Sequence, residues 1–311
     1  MLPVVALLLA STLWGLTWLP LKHFGTYGIA GPLVTLAAHG SVGLLALPFL
    51  ALRVRSWRSE WPSMALLAVF GGLANLAFAT AMQRGDVTRV MVLFYLLPAW
   101  GVLLAYLLLG ERVDARRGLS LLAGLSGGFL AVGGIRVVSE PPTWIDALAA
   151  ISGFALAVNN VLFRKAQALA VPDKVGAVFV GSLVWAAGVE LLVAHAEPVT
   201  APAFVWLEVV GFGLVWILLA TLGTLYGVNH LEAGRSSLLI ITELITAVVS
   251  SAVILRKLPD TSAMAGGVLI LASALLEAVR PGPPTPPVPP KKPAPEPPQE
   301  AAREAPGVAR L

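Results

Sequence analysis

The 311 residues are 57% hydrophobic and only 12% charged, with a formal charge of +4 and no cysteine. Soluble domains carry about 25% charged residues, so this composition points to a membrane protein. The missing cysteines exclude disulfides, thiolate metal sites and cysteine nucleophiles, and the Lys and Arg residues lie mostly in short connections rather than in a nucleic-acid patch.

A bilayer core about 30 Å thick takes about 20 apolar residues per helix. Runs of that length predict ten transmembrane helices, at 3–21, 29–50, 63–81, 89–109, 117–136, 143–162, 176–194, 205–226, 236–255 and 261–279. The chain is therefore expected to be an all-α polytopic membrane protein with no room for a soluble catalytic domain. The first run lacks a basic leader and is too long for a signal core, so it reads as an uncleaved helix.

Along these runs, Trp14 and Trp18 lie on the first, His39 on the second and Asn75 on the third. The fourth carries Tyr95, Trp100 and Pro98, whose missing donor predicts a bend. Ser120, Gly124 and Gly128 give the fifth a small-residue face for close packing, within the chain or in a dimer. The sixth carries Asn159 and Asn160, the seventh Glu190, the eighth Tyr226 and the ninth Glu243. Glu208 and Glu277 sit near enough to run ends to reach the interface.

Beyond the last run, residues 280–311 hold half of the chain's 24 prolines and few apolar side chains. That segment is expected to be a disordered tail. Within the runs, the stretch from Arg89 through Pro98 to Glu111 matches Arg235, Leu244 and Lys257 at the same offsets, and residues 8–22 pair with 151–165. The pattern predicts two five-helix repeats, 1–136 and 137–279. An odd number of crossings inserts the second upside down, as in carriers that rock around a central site.

Positive charges orient the chain. Arg53, Arg55, Arg58, Arg112, Arg116, Arg117, Arg164, Lys165, Lys174, Arg235 and Arg280 fall on one side. Only Lys22, Arg84, Arg89, Arg136, Arg256 and Lys257 fall on the other. Both termini are therefore expected in the cytoplasm.

Leu13-Trp14-Gly15, Leu97-Pro98, Leu109-Gly110-Glu111-Arg112 and Asn160 to Lys165 together resemble the EamA-type carriers of the drug/metabolite transporter superfamily. The resemblance implies ten helices in two inverted five-helix repeats and export of amino acids or other small metabolites from a bacterial cell, across the inner membrane. The second repeat departs from the family pattern: Glu243-Leu244 stands where members often have glutamate-proline, and Arg256-Lys257 where they have glycine-glutamate.

An ionisable group within a helix costs at least roughly 2.5 kcal/mol at the bilayer centre unless partnered. Glu243 reads either as a cavity carboxylate for a substrate amine or coupling proton, or as a hydrogen-bond anchor between helices. His39 is a second candidate for proton coupling, or else polar glue between helices. Asn75, Asn159 and Asn160 are expected to face protein, since an unsatisfied amide in hydrocarbon costs several kcal/mol. With Trp14, Trp18, Tyr95, Tyr226 and Glu243 they form the candidate substrate site, and Pro98 the candidate gating bend.

No catalytic residue, metal or cofactor is expected, and no Walker A pattern offers ATP chemistry. The expected function is gradient-driven transport of a small-molecule substrate by a monomer or homodimer in the lipid bilayer, with no nucleic-acid partner. An intramembrane lipid-modifying enzyme would need clustered carboxylates or histidines. A passive channel would need a continuous polar lining.

Overall fold

A computed structural model describes residues 1–109, 115–131, 134, 142–193, 199–231, 236, 239–256 and 258–278. The expected tail at 280–311, the Glu111–Asp114 part of the fourth connection, and Arg235 and Lys257 lie outside those residues. Every described regular element is helical, without strands. Among the described residues, seven helical segments are long and apolar enough to cross a membrane: Leu2–Thr26, Gly31–Leu52, Val54–Arg84, Val87–Leu104, Trp144–Lys165, Val171–Leu192 and Ala203–His230. Three apolar helices are shorter, Gly118–Leu130, Thr242–Ile254 and Thr261–Leu276. The chain is an integral membrane protein.

Several of the expected runs are divided. The first is α1 (Leu2–Gly15) and α2 (Trp18–Thr26). Then come α3 (Gly31–Leu52) and α4 (Trp61–Arg84). The fourth run is α5 (Val87–Phe94) and α6 (Leu97–Leu109), followed by α7 (Ala115–Ala131). α8 (Trp144–Lys165) and α9 (Val171–Val193) are continuous. The eighth run passes from α10 (Ala203–Gly211) through a π-helical turn at Phe212–Ile217 into α11 (Leu218–His230). α12 (Thr242–Ile254) and α13 (Thr261–Ala278) complete the bundle.

Long-range packing pairs α4 with α8 and α9, α3 with α9 and the π turn, α1 with α11 and α12, α5 and α6 with α8, α5 with α12, and α7 with α13. Small residues permit these approaches. A Cβ at Gly181 of α9 would meet the Ala68 backbone of α4, and one at Gly213 would meet the Ala38 backbone of α3. The small-residue face of α7 packs inside the chain: Ser120 Oγ donates to the Ser273 carbonyl (2.9 Å), and Ser273 Oγ to that of Ser120 (2.7 Å).

Two bidentate ion pairs tie helix starts to distant segments. Arg53, after α3, donates Nε to Asp173 Oδ1 (2.7 Å) and Nη2 to Oδ2 (3.2 Å). The hydrogen bond to this carboxylate raises the Arg53 guanidinium above its ordinary value. Arg89, in α5, holds Asp146 at the start of α8. Glu208, assigned no partner from sequence, meets His23 at 3.1 Å on an exposed edge.

Candidate functional site

Three helix interruptions meet at α12. In the first, the Thr17 N–H bonds the Trp14 carbonyl (3.1 Å) instead of that of Leu13. The Leu13 carbonyl accepts from Thr17 Oγ1 (3.0 Å) and Trp216 Nε1 (3.0 Å). Side-chain donors thus satisfy a group that a continuous helix would pair with an amide. In the second, Pro98 has no N–H to offer the Phe94 carbonyl, and the chain turns at Tyr95 and Leu96 before α6 resumes. The bend expected from Pro98 is present, one turn before the proline itself.

The third interruption has no proline. It falls at Ile241, just before α12, with Leu244 at the offset of Pro98. Loss of the proline was expected to weaken this bend, and the break persists for a different reason. The Tyr95 hydroxyl donates to the Ile240 carbonyl (3.4 Å). It also lies near the Leu244 backbone N–H. Those are the two groups that a continuous helix would join to each other. A side chain inserted into the backbone ladder is a recognised cause of a kink. Tyr95 therefore does from a neighbouring helix what a proline would do in place.

The same hydroxyl reaches the Glu243 side chain. Glu243 is in the first turn of α12, where unpaired amides and the helix dipole favour negative charge. Gly15 closes the other side: its ideal Cβ position is 2.5 Å from the Glu243 carbonyl and 2.7 Å from Thr246 Cβ. Only a glycine lets α1 approach α12 this closely. Trp18, 2% exposed, donates Nε1 to Ser250 Oγ (3.0 Å), two turns further along α12. Trp14 donates to Thr224 Oγ1 (3.2 Å) of α11. The arrangement gives an acid at a helix start beside a phenol, with one indole bonded two turns further along the same helix and a second bonded to α11.

The remaining sequence candidates lie elsewhere. Asn75 Nδ2 donates to Ser182 Oγ (3.0 Å) between α4 and α9. Asn159, 6% exposed, lies one turn away beside Gly71, and its Oδ1 has no hydrogen-bond partner among the described residues. Asn160 departs from the expected protein-facing position: it is exposed. It stands five residues before the end of α8, about 7.5 Å along the axis. Tyr226, 37% exposed, meets the His230 ring at 4.3 Å between centroids near the end of α11. His39 is buried against Phe179 (ring centroids 6.1 Å) where α3 meets α9. Sequence reading missed Thr224, Gly15's role and Asp146.

Residues 1–133 match the model of the EamA-like transporter family. The resemblance seen in the sequence thus extends over the first half of the chain, which is membrane-transporter-like. No curated protein matches. A solved structure titled "Crystal structure of protein" is similar over 88% of this chain and 96% of its own, at 18% identity with a TM-score of 0.57. That likeness concerns the fold alone.

Proposed function

We propose that the protein is a secondary carrier that moves a small organic metabolite, an amino acid or related solute, by alternating access, with export the expected direction. The observation that carries this reading is an exchange symmetry in the packing. Taking α1–α2, α3, α4, α5–α6 and α7 as five crossings, and α8, α9, α10–α11, α12 and α13 as their counterparts, most of the described contacts between halves, including all the extensive ones, map onto another or onto themselves. The α4–α8 contact exchanges with α11–α1, α4–α9 with the π turn on α3, and α5–α8 with α12–α1. The contacts α3–α9, α5–α12 and α7–α13 map onto themselves, while the smaller contacts of α13 with α5 and α6 have no counterpart of similar extent. Close approaches follow suit: Gly181 on Ala68 exchanges with Ala38 on Gly213.

Such exchange is what two inverted five-helix repeats, 1–136 and 137–279, produce, and it supports ten crossings including the three shorter helices. Both termini then lie in the cytoplasm of a bacterial inner-membrane protein. The interrupted helices fall on the contacts between halves, where carriers place substrate sites.

Glu243 and Tyr95 supply a two-state proton chemistry. With the carboxyl protonated, Glu243 donates to Tyr95 Oη while Tyr95 donates to the Ile240 carbonyl. With the carboxylate free, Tyr95 turns its proton to Glu243 and releases that carbonyl. A substrate amine or a proton can therefore compete for the same oxygen atoms. His39 and the asparagines stand outside this pair and serve packing.

Purified protein in proteoliposomes, screened with amino acids, amides and related metabolites under an imposed pH gradient, tests the reading. Saturable, counter-substrate-stimulated flux is expected, and Glu243→Gln abolishes its dependence on the pH gradient. Linear, non-saturating flux would indicate a channel. Unchanged pH dependence in Glu243→Gln would remove the coupling role from that residue.

A further inference from the structure

The connection from α3 to α4 and the end of α8 enclose a small cleft, with one wall from each half of the chain. Val54–Trp57 forms a single helical turn and Arg58–Glu60 a 3-10 turn before α4 begins at Trp61. Glu60 and Ser63 line one wall, and Leu162, Lys165 and Gln167 the other, around about 230 Å³. That is below the roughly 300–1,000 Å³ of pockets that enclose a whole drug-sized ligand. It suits a headgroup whose chains lie outside.

The two charges in this cleft are opposite and do not meet. Glu60 Oε2 accepts from Ser63 Oγ (3.2 Å), its one partner among the described residues. Lys165 is exposed, and its ammonium has no partner among them. Opposite charges that share a cleft without pairing are complementary to a zwitterion, with its cation on the acid and its anion on the lysine. Glu60 and Ser63 offer acceptors to the three donors of a primary ammonium, and Lys165 is a compact point charge suited to a phosphate. A quaternary ammonium has no N–H for Glu60, and a headgroup with phosphate alone would meet its negative charge.

The cleft lies at the membrane surface. Trp61, 63% exposed, stands beside Glu60 at the start of α4, and indoles favour the interface. Trp57 Nε1 donates to the Leu50 carbonyl (2.9 Å), which fixes the connection against α3. Residues three apart share a helix face, and Leu66 and Val69, each 43% exposed, follow Ser63 along α4 at that step. An apolar track thus leads from the cleft into the hydrocarbon, which a soluble zwitterion would not need.

We propose that this cleft binds a phospholipid with a primary-amine headgroup, of the phosphatidylethanolamine kind: ammonium on Glu60 and Ser63, phosphate on Lys165, acyl chains along Leu66 and Val69. Because its walls come from α4 and α8, the bound lipid bridges the two halves. None of its residues belongs to the Glu243–Tyr95 site, so the proposal stands or falls independently of the transport mechanism.

Native mass spectrometry of the purified full-length protein in detergent tests it, with dioleoyl phosphatidylethanolamine, phosphatidylcholine and phosphatidylglycerol added in turn. The parent is expected to bind the ethanolamine lipid about five- to tenfold more tightly than the choline lipid. Glu60→Gln removes that preference without weakening the glycerol lipid, whose net charge is negative. Lys165→Gln weakens the ethanolamine and choline lipids alike, because both carry the phosphate. Arg55→Gln, exposed and outside the cleft, leaves the ratio unchanged. Equal affinity of the parent for the ethanolamine and choline lipids overturns the assignment. So does an ethanolamine preference that survives Glu60→Gln, or lipid binding indifferent to Lys165→Gln. Displacement of the lipid by an excess of free amino acids also overturns it, by making the cleft a solute site. Size-exclusion profiles matching the parent establish that each variant is folded.

Discussion

Removing one oxygen atom, in Tyr95→Phe, separates the two roles assigned to that hydroxyl. The oxygen donates to the Ile240 carbonyl and lies near the Leu244 N–H and the Glu243 side chain. If the two backbone groups stayed apart in the variant, each would cost about 1–3 kcal/mol as an unsatisfied polar group. They sit four residues apart on one helix, so they can instead bond each other and straighten the segment. The expected loss of stability is then only about 1 kcal/mol, the net worth of one ordinary hydrogen bond. Transport suffers far more, because the break before α12 and the partner of Glu243 disappear together. Melting of the detergent-solubilised protein beside flux in proteoliposomes measures both. A variant that melts near the parent but has lost most of its flux supports the wedge. One that loses several kcal/mol of stability, or transports normally, refutes it.

Other substitutions test the packing around the same place. Gly15→Ala puts a methyl 2.5 Å from the Glu243 carbonyl, so α1 must move by about 1 Å at a cost of about 1–3 kcal/mol. Gly188→Ala, with nothing within 4 Å of its ideal Cβ, should be neutral or stabilising by up to about 1 kcal/mol; equal melting of the two would contradict the close approach. Trp18→Phe should lose about 1 kcal/mol with the bond to Ser250, and Trp18→Ala about 3–5 kcal/mol, both read by thermal melting. Asn159→Leu removes an oxygen without a hydrogen-bond partner among the described residues, so stability should be unchanged or about 1 kcal/mol higher, with flux retained. Pro98→Ala returns a donor to Phe94, yet the break at Ile241 stands without proline. Substantial residual flux is therefore expected.

How much was legible in the chain follows from what a bilayer demands locally. Apolar length and charge placement are properties of consecutive residues, so the seven long apolar segments, the internal offsets and an interruption near Pro98 could be read directly. The interruption at Ile241 could not, because its cause lies on another helix, almost 150 residues away. Trp14 and Trp18 were recognised as site candidates, but their partners Thr224 and Ser250 were not, since nothing near either indole points to them. Asn160 and Tyr226 were assigned to the site from residue type alone. Both are exposed near helix ends in the structure, which residue type does not foretell.

The sequence by itself determined that this chain enters a membrane, roughly where it crosses, and that its first half carries a transporter family's pattern. Only the tertiary structure decided which faces meet, since hydrocarbon treats all apolar faces alike. There, steric closeness at Gly15, Gly181 and Gly213 and a few long-range hydrogen bonds select one arrangement. That selection brings Glu243 to Tyr95 and Arg89 to Asp146, pairings between residues too far apart in sequence for any local rule to join.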